Sequence, residues 1–333
     1  MKKIMFMLVA VAAMASSCTQ SDVIGLSSDD NVEIRVSAGI TSAVSPSTRA
    51  VVDGMINSGF TTDLDVAFVR ADEGVAAYGD YGGTALVGTV AHAGKTLSFA
   101  PAEYYLVSGK KTKLIGWYPR RSGVSYTQGT RVVDFGEIDG KTDLMATVLY
   151  EGSKGTKISS ITFNHLLTQF SIKVYAPDAA AQGLWGTVSS IKIAEKKQTC
   201  TITLPAATET ANTAAAPTFT GNSDLDLVKT DLTTSPASTI TYPLTLGVGT
   251  AANAAQAGYA MFAPQTTGNV VLKIELSSGV TQTVNVPVPI PTPAGFLHGH
   301  AYEITLKFSS SAITPTVSVV DWVPVTNTPE VEI

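Results

Sequence analysis

"NVVLKIELSSGVTQTVNVPV", residues 269–288, sets the fold class. Val270, Leu272, Ile274 and Leu276 alternate with Val271, Lys273 and Glu275, and after Ser277-Ser278-Gly279 the alternation resumes at Val284 and Val286. A period of two puts the apolar residues on one face of an extended chain, and a small-residue turn between two such runs reads as an antiparallel hairpin.

The same pattern recurs along the chain. "LDVAFVR" (64–70), "KLIGWYP" (113–119), "SITFNHLLTQFSIKVYA" (160–176), "SSIKIAE" (189–195), "TCTITLP" (199–205) and "AYEITLKF" (301–308) are short apolar or alternating runs bounded by Gly, Pro, Asn or Asp. No stretch after the first eighteen residues carries a sustained helical stripe, so the reading is all-β with few short helices. "DGK" at 139–141 is a second turn candidate. "PAATETANTAAAPTFTGNSD" (205–224) and "LGVGTAANAAQAGY" (246–259) read as exposed loops on their Ala, Thr and Gly content. A chain of 333 residues that is 44% hydrophobic suffices for two modest domains. The polar "EGSKGTK" at 151–157 is the boundary the composition offers.

The beginning is an export signal. "MKKIMFMLVAVAAMASSC" has two lysines, an apolar run too short to span a bilayer, and small residues before Cys18. "ASSC" resembles a bacterial lipoprotein cleavage box, with Cys18 as the lipidated residue carrying palmitate-type chains, several of which on one cysteine anchor firmly. The remaining cysteine, Cys200, cannot form an internal disulfide and reads as a small strand residue.

Both ends look like strands. In "NVEIRVSAGI" (31–40), Val32, Ile34, Val36, Ala38 and Ile40 alternate with Glu33, Arg35, Ser37 and Gly39, a strand with one buried face. Soft, small residues follow, and Arg49 is the only charge between Arg35 and Asp53. Such a segment is open to a protease that cuts between Arg49 and Ala50. Near the other end Val317, Val319, Val323 and Val325 share one parity, while Pro315, Pro324 and Pro329 keep the stretch from being a central strand throughout. A loose strand with an apolar face suits addition to an open sheet edge.

The remaining candidates are weak. "HGH" (298–300) would place two imidazoles on one face, but a third ligand is not evident nearby, and the reading is a turn. His165 reads as a core histidine. "TDLDV" (62–66) and "NSDLDL" (222–227) lack the oxygen density of a calcium loop. The aromatic run 103–121 reads as core strand, with a sugar-binding shelf as the alternative. The sequence has no Gly-x-Ser-x-Gly, His-Glu-x-x-His, phosphate loop or GxGxxG, and the reading is a non-enzyme without cofactor or metal. A net charge of −5 with no basic stripe argues against a nucleic-acid partner.

The ordered set of "TDLMA" (142–146), "ITFNHLLTQFSIKV" (161–174), "GHAYEITLKF" (299–308) and "VSVVDWVPV" (317–325) resembles the fimbrillin family, the type V pilins and minor fimbrial subunits of Bacteroides-type bacteria. The resemblance implies two tandem transthyretin-like β-sandwich domains with Greek-key-like strands. Its organisation would be a signal peptide (1–17), a propeptide with a removable strand (18–49), an N-terminal domain (50–157) and a C-terminal domain (158–333). It also implies an outer-membrane lipoprotein on Cys18, cleavage at Arg49–Ala50 by an arginine-specific surface protease, loss of the strand bearing Val32, Ile34, Val36, Ala38 and Ile40, and its replacement by a neighbour's donor strand within 316–333. The product is a fimbrium of subunits joined head to tail. A tip adhesin, an anchor subunit and a carbohydrate-binding surface lipoprotein, with host glycans or proteins as partners, are the alternatives left open.

Overall fold

The computed structural model describes residues 31–40, 62–232, 234, 237–287 and 295–320. The regular structure of the described chain is β-strand apart from two single-turn 3-10 segments and one short α-helix, Ala179–Trp185, whose first turn is capped by Asp178 accepting from the Ala181 N–H. The hairpin of the opening stretch forms: Asn269–Leu276 pairs antiparallel with Thr281–Pro287, Asn269 opposite Pro287 and Glu275 opposite Thr281. Gly279 sits in its turn at φ +83°, a conformation that a Cβ disfavours.

The first half closes on itself. Leu64–Asp72 pairs with Leu86–Val90 on one edge and Thr112–Tyr118 on the other. From Leu86–Val90 the ladder passes to Thr96–Phe99, Val36–Ile40, Ser160–His165, Met145–Ala146 and back to Thr112–Tyr118, a ring of seven strands. This differs from the sandwich the resemblance implies, because Leu64–Asp72 is hydrogen-bonded along both edges and leaves no gap between two sheets. The ring is filled by Val66, Phe68, Leu97, Phe99, Leu114 and Phe163. Phe68 meets Phe99 and Phe163 edge to face, at centroid distances of 5.4 and 5.9 Å. Gly116 is the residue paired with Phe68, and a Cβ there would lie 2.5 Å from the phenyl ring.

In the second half, Thr168–Ala176 lies between Ala255–Phe262 (antiparallel) and Ala301–Phe308 (parallel), with Ile313–Val320 on the far side of Ala301–Phe308. This sheet faces the one holding the 269–287 hairpin, and Phe170, Ile172, Leu272, Ile274, Ile304 and Phe308 share the core between them. The halves are joined by one seventeen-residue strand, Thr187–Thr203. Its first part pairs with Asn269–Leu276 and its last part with Val132–Glu137. A core containing Trp117, Val133, Phe135, Cys200, Ile202, Met261 and Ala301 crosses the joint.

Several sequence expectations change here. The low-complexity stretch 205–224 is only partly loop, because Ala216–Asp226 pairs antiparallel with residues 192–203 and so satisfies its backbone. Residues 255–262 form a strand that is largely buried, not an exposed loop. The 139–141 turn exists, with Asp139 accepting from the Lys141 and Thr142 N–H groups, but its flanking strands go to different sheets and do not pair as a hairpin. Sheet membership changes at Leu166 and Leu167, not at 157, because Ser160–His165 belongs to the ring. Buried Lys113 donates to the carbonyls of Ala207 and Glu209 and ties the 205–209 loop to the ring.

Gly116→Ala is expected to destabilise the fold by about 1–3 kcal/mol, because Phe68 must leave its place between Phe99 and Phe163. Urea denaturation against the parent chain measures this, and an unchanged midpoint would contradict the packing described.

Candidate functional site: the seam filled by residues 31–40

The strand read from "NVEIRVSAGI" occupies the ring in the predicted orientation. Ile34, Val36, Ala38 and Ile40 are 0, 2, 2 and 5% exposed, while Arg35 and Ser37 face solvent. Val32 is partly buried against the same core. Alternation alone accounts for this, since the ring offers apolar contacts on one face only.

Both edges of the strand are used. On one side Ile34 N–H donates to Glu103 O (2.7 Å), Tyr105 N–H to Val32 O (2.9 Å) and Ala38 N–H to Lys95 O (2.7 Å). On the other side residues 37–40 run parallel to Ser160–Phe163, Ser37 opposite Ser160 and Ile40 opposite Phe163. Every other strand pair in the ring is antiparallel. Lys95, Glu103 and Tyr105 were not legible in the sequence as site residues, because they contribute backbone groups, which any residue type supplies. Lys95 stands in the left-handed region at φ +50°, in the turn beside Gly94.

Cys18, Arg49, Ala50, Val323 and Val325 lie outside the described residues. Val317 and Val319 lie in Ile313–Val320, half-buried on the second core and paired with Ile304 and Tyr302. The structure thus does not bring them to the seam within this chain. Of the other candidates, His165 is buried with Nδ1 2.6 Å from the Asp143 carboxylate. His300 turns Nδ1 to the His298 carbonyl and stacks on Tyr302. The acidic pairs hold basic partners: Asp63 with His92, Asp65 with Arg120, Asp224 with Lys273 and Asp226 with Lys192. In the aromatic run, Tyr105 and Trp117 are buried, and the Tyr105 hydroxyl accepts from the Ile158 N–H. Burial pushes the Cys200 thiol up to about 12, so it stays protonated at neutral pH.

The sequence matches the fimbrillin-like family over residues 48–322. The chain belongs to the fimbrillin-like family. This is a family of fimbrial structural and adhesion subunits, not an enzyme class. The fold resembles a solved protein from Bacteroides uniformis provisionally assigned to cell adhesion, at 18% identity and a TM-score of 0.54, covering 88% of this chain and 100% of that one. A second, from Bacteroides ovatus and similarly assigned, has 16% identity and a TM-score of 0.54, covering 88% and 99%. At these identities the likeness is one of fold. A comparison with curated proteins gives no match. In this fimbrillin-like chain the matched region starts at Thr48, after the strand that completes the ring.

Ile34→Ala in the uncut chain is expected to cost about 2–5 kcal/mol, the range for emptying a fully buried site of this size. Equilibrium unfolding in urea reads it, with Arg35→Ala as an exposed control expected within about 0.5 kcal/mol of the parent.

Proposed function

We propose that this chain is a structural subunit of a cell-surface fimbrium, exported as a lipoprotein on Cys18, cut after Arg49, and joined to other subunits by strand exchange at the seam. The observation that carries this reading is that Val36–Ile40 is a stave of a closed ring, yet it lies upstream of the family-matched region, which begins at Thr48, the residue before Arg49.

The mechanism follows from the seam. While the strand is attached, its effective concentration at the ring exceeds that of any free segment in solution, so the seam is shut to partners. Cutting at Arg49 makes the strand a separate chain held only by its contacts. Its departure bares the Thr96–Phe99 and Ser160–His165 edges and an apolar slot, which another extended segment with an alternating apolar face can fill. In the head-to-tail scheme the donor comes from residues 316–333 of a neighbour. Val317 and Val319 sit in the subunit's own sheet, so either they peel away from Ala301–Phe308 or donation rests on the residues that follow, Val323 and Val325 among them. The lipid holds the precursor at the outer membrane until the cut.

An arginine-specific protease is expected to release one early product beginning at Ala50, and Arg49→Ala to abolish both that product and fibre formation. N-terminal sequencing and electron microscopy of surface extracts test this, and fibres assembled from the uncut variant would refute the scheme. Separately, Cys18→Ala is expected to move the uncut chain from the membrane fraction to the soluble fraction; retention after a high-salt wash would contradict lipid anchoring.

A further inference from the structure

One end of the ring is a pole built from three adjoining turns. Leu64–Asp72 runs into the turn 73–78, the loop 105–111 leads into Thr112–Tyr118, and Tyr150–Gly152 leads into 153–157. The turns hold one another. Glu73 N–H donates to Lys111 O (2.9 Å), Lys110 Nζ to Gly74 O (2.7 Å) and Lys111 Nζ to Glu151 (2.6 Å). Gly74 N–H closes its own turn on Ala77 O (2.7 Å), which leaves Val75 and Ala76 at the tip.

This pole carries apolar side chains in the open. Val75 is 102% exposed, Val107 58% and Tyr104 43%. The other large apolar side chains exposed among the described residues, Leu184, Val248 and Val280, lie in the second half, so those the ring exposes are all at one end. A single exposed valine needs no explanation, whereas three such residues on adjoining loops mark a contact surface.

Chain path and charge identify what the surface meets. Residues 31–40 enter the ring here: Glu33 pairs with Tyr104, Ile34 N–H donates to Glu103 O, and Tyr105 N–H donates to Val32 O. Thirteen residues separate Asn31 from Cys18, a tether no longer than ~45 Å. The acids of the pole are taken up within it: Glu33 by Arg35, Asp72 and Glu103 by Arg70, and Glu151 by Lys111, while Glu73 accepts from the Lys111 N–H. Lys110 and exposed Lys157 make no ion pair among the described residues. On a chain of net charge −5, the pole thus offers apolar tips flanked by ammonium groups.

We infer that, in the uncut precursor, this pole rests on the bilayer, with Val75 and Val107 in the acyl boundary, Tyr104 at headgroup level, and Lys110 and Lys157 among anionic headgroups. The inference rests on the lipoprotein reading above. The contact sets the strand upright: Ile40, from which the segment bearing Arg49 continues, stands up to ~26 Å farther from the bilayer than Val32, at about 3.3 Å per residue. Loss of the strand after the cut removes the tether, and so small an apolar contact holds the body only marginally, so the pole orients the precursor without retaining the product.

The test uses the acylated full chain with Arg49→Ala, which keeps it uncut, in vesicles of phosphatidylcholine and phosphatidylglycerol with brominated acyl chains. A polarity-sensitive fluorophore is attached through Val75→Cys, Ser108→Cys or Ala93→Cys. Ala93 is exposed in the turn after Leu86–Val90, whose Val90 pairs with Leu64 at the opposite end of the ring. Cys200 is buried and takes no label. The expected result is blue-shifted, quenched emission from the labels at 75 and 108 and unchanged emission from the label at 93. Val75→Asp/Val107→Asp should abolish quenching of the label at 108 while the chain still floats with the vesicles. A floating chain whose three labels are quenched alike, or not at all, overturns the inference, as does quenching that survives the double substitution. Labels at 75 and 108 that stay in water on the vesicle and are shielded only in fibres of the cleaved chain overturn it in favour of a neighbouring subunit. Failure to float defeats the lipoprotein reading instead, and the inference falls with it.

Discussion

A ring of seven strands cannot alternate direction all the way round, so at least one neighbouring pair must be parallel. In this protein that pair is Val36–Ile40 against Ser160–Phe163. The constraint gives the strand its character. It is hydrogen-bonded on both edges and buried on one face, yet the chain that follows it belongs to neither neighbouring strand. A hairpin partner is held by its turn, whereas this strand is held by its seats and its ladders alone. The ring is thereby complete while one stave remains topologically detachable, and the proposed biology uses that separation.

The rest of the molecule makes the ring a rigid part of a longer body. Thr187–Thr203 is long enough to belong to two partnerships, with Asn269–Leu276 near its start and with Val132–Glu137 near its end. The core around Trp117, Phe135, Cys200, Ile202 and Met261 draws side chains from both halves, so the joint is packed and does not rest on a flexible linker. Residues 160–176 form a second continuous connection, passing from ring to second sheet through buried Leu166 and Leu167. Force applied at the seam would reach Ile313–Val320 through Thr168–Ala176 and Ala301–Phe308, strands in continuous hydrogen-bonded contact.

Local pattern was a good guide where side chains decide the outcome. The alternation of 31–40 and of 269–288 gave the correct face of each strand, because burial on one side is a property of the residues themselves. It was a poor guide where the backbone decides. Ala216–Asp226 has little apolar content, yet it is a strand because residues 192–203 present an edge that its N–H and C=O groups satisfy. The Gly-Lys turn after Asp139 looked like a hairpin because turn chemistry is local, while the destinations of the two flanking strands are not. The composition change at 151–157 falls on a turn, with Ser153 and Thr156 bonded across it, and Ser160–His165 beyond it still belongs to the ring.

The sequence by itself determined that the chain is all-β, that residues 31–40 bury Ile34, Val36, Ala38 and Ile40, and that Arg49 is the only charge between Arg35 and Asp53, since alternation and charge placement are written one residue at a time. Only the tertiary structure decided that this strand closes a ring, that it runs parallel to Ser160–Phe163, and that Lys95, Glu103 and Tyr105 hold its other edge. Those facts depend on which backbone edges meet across separations of 57 to 123 residues, and a peptide group carries no mark of the partner it will find.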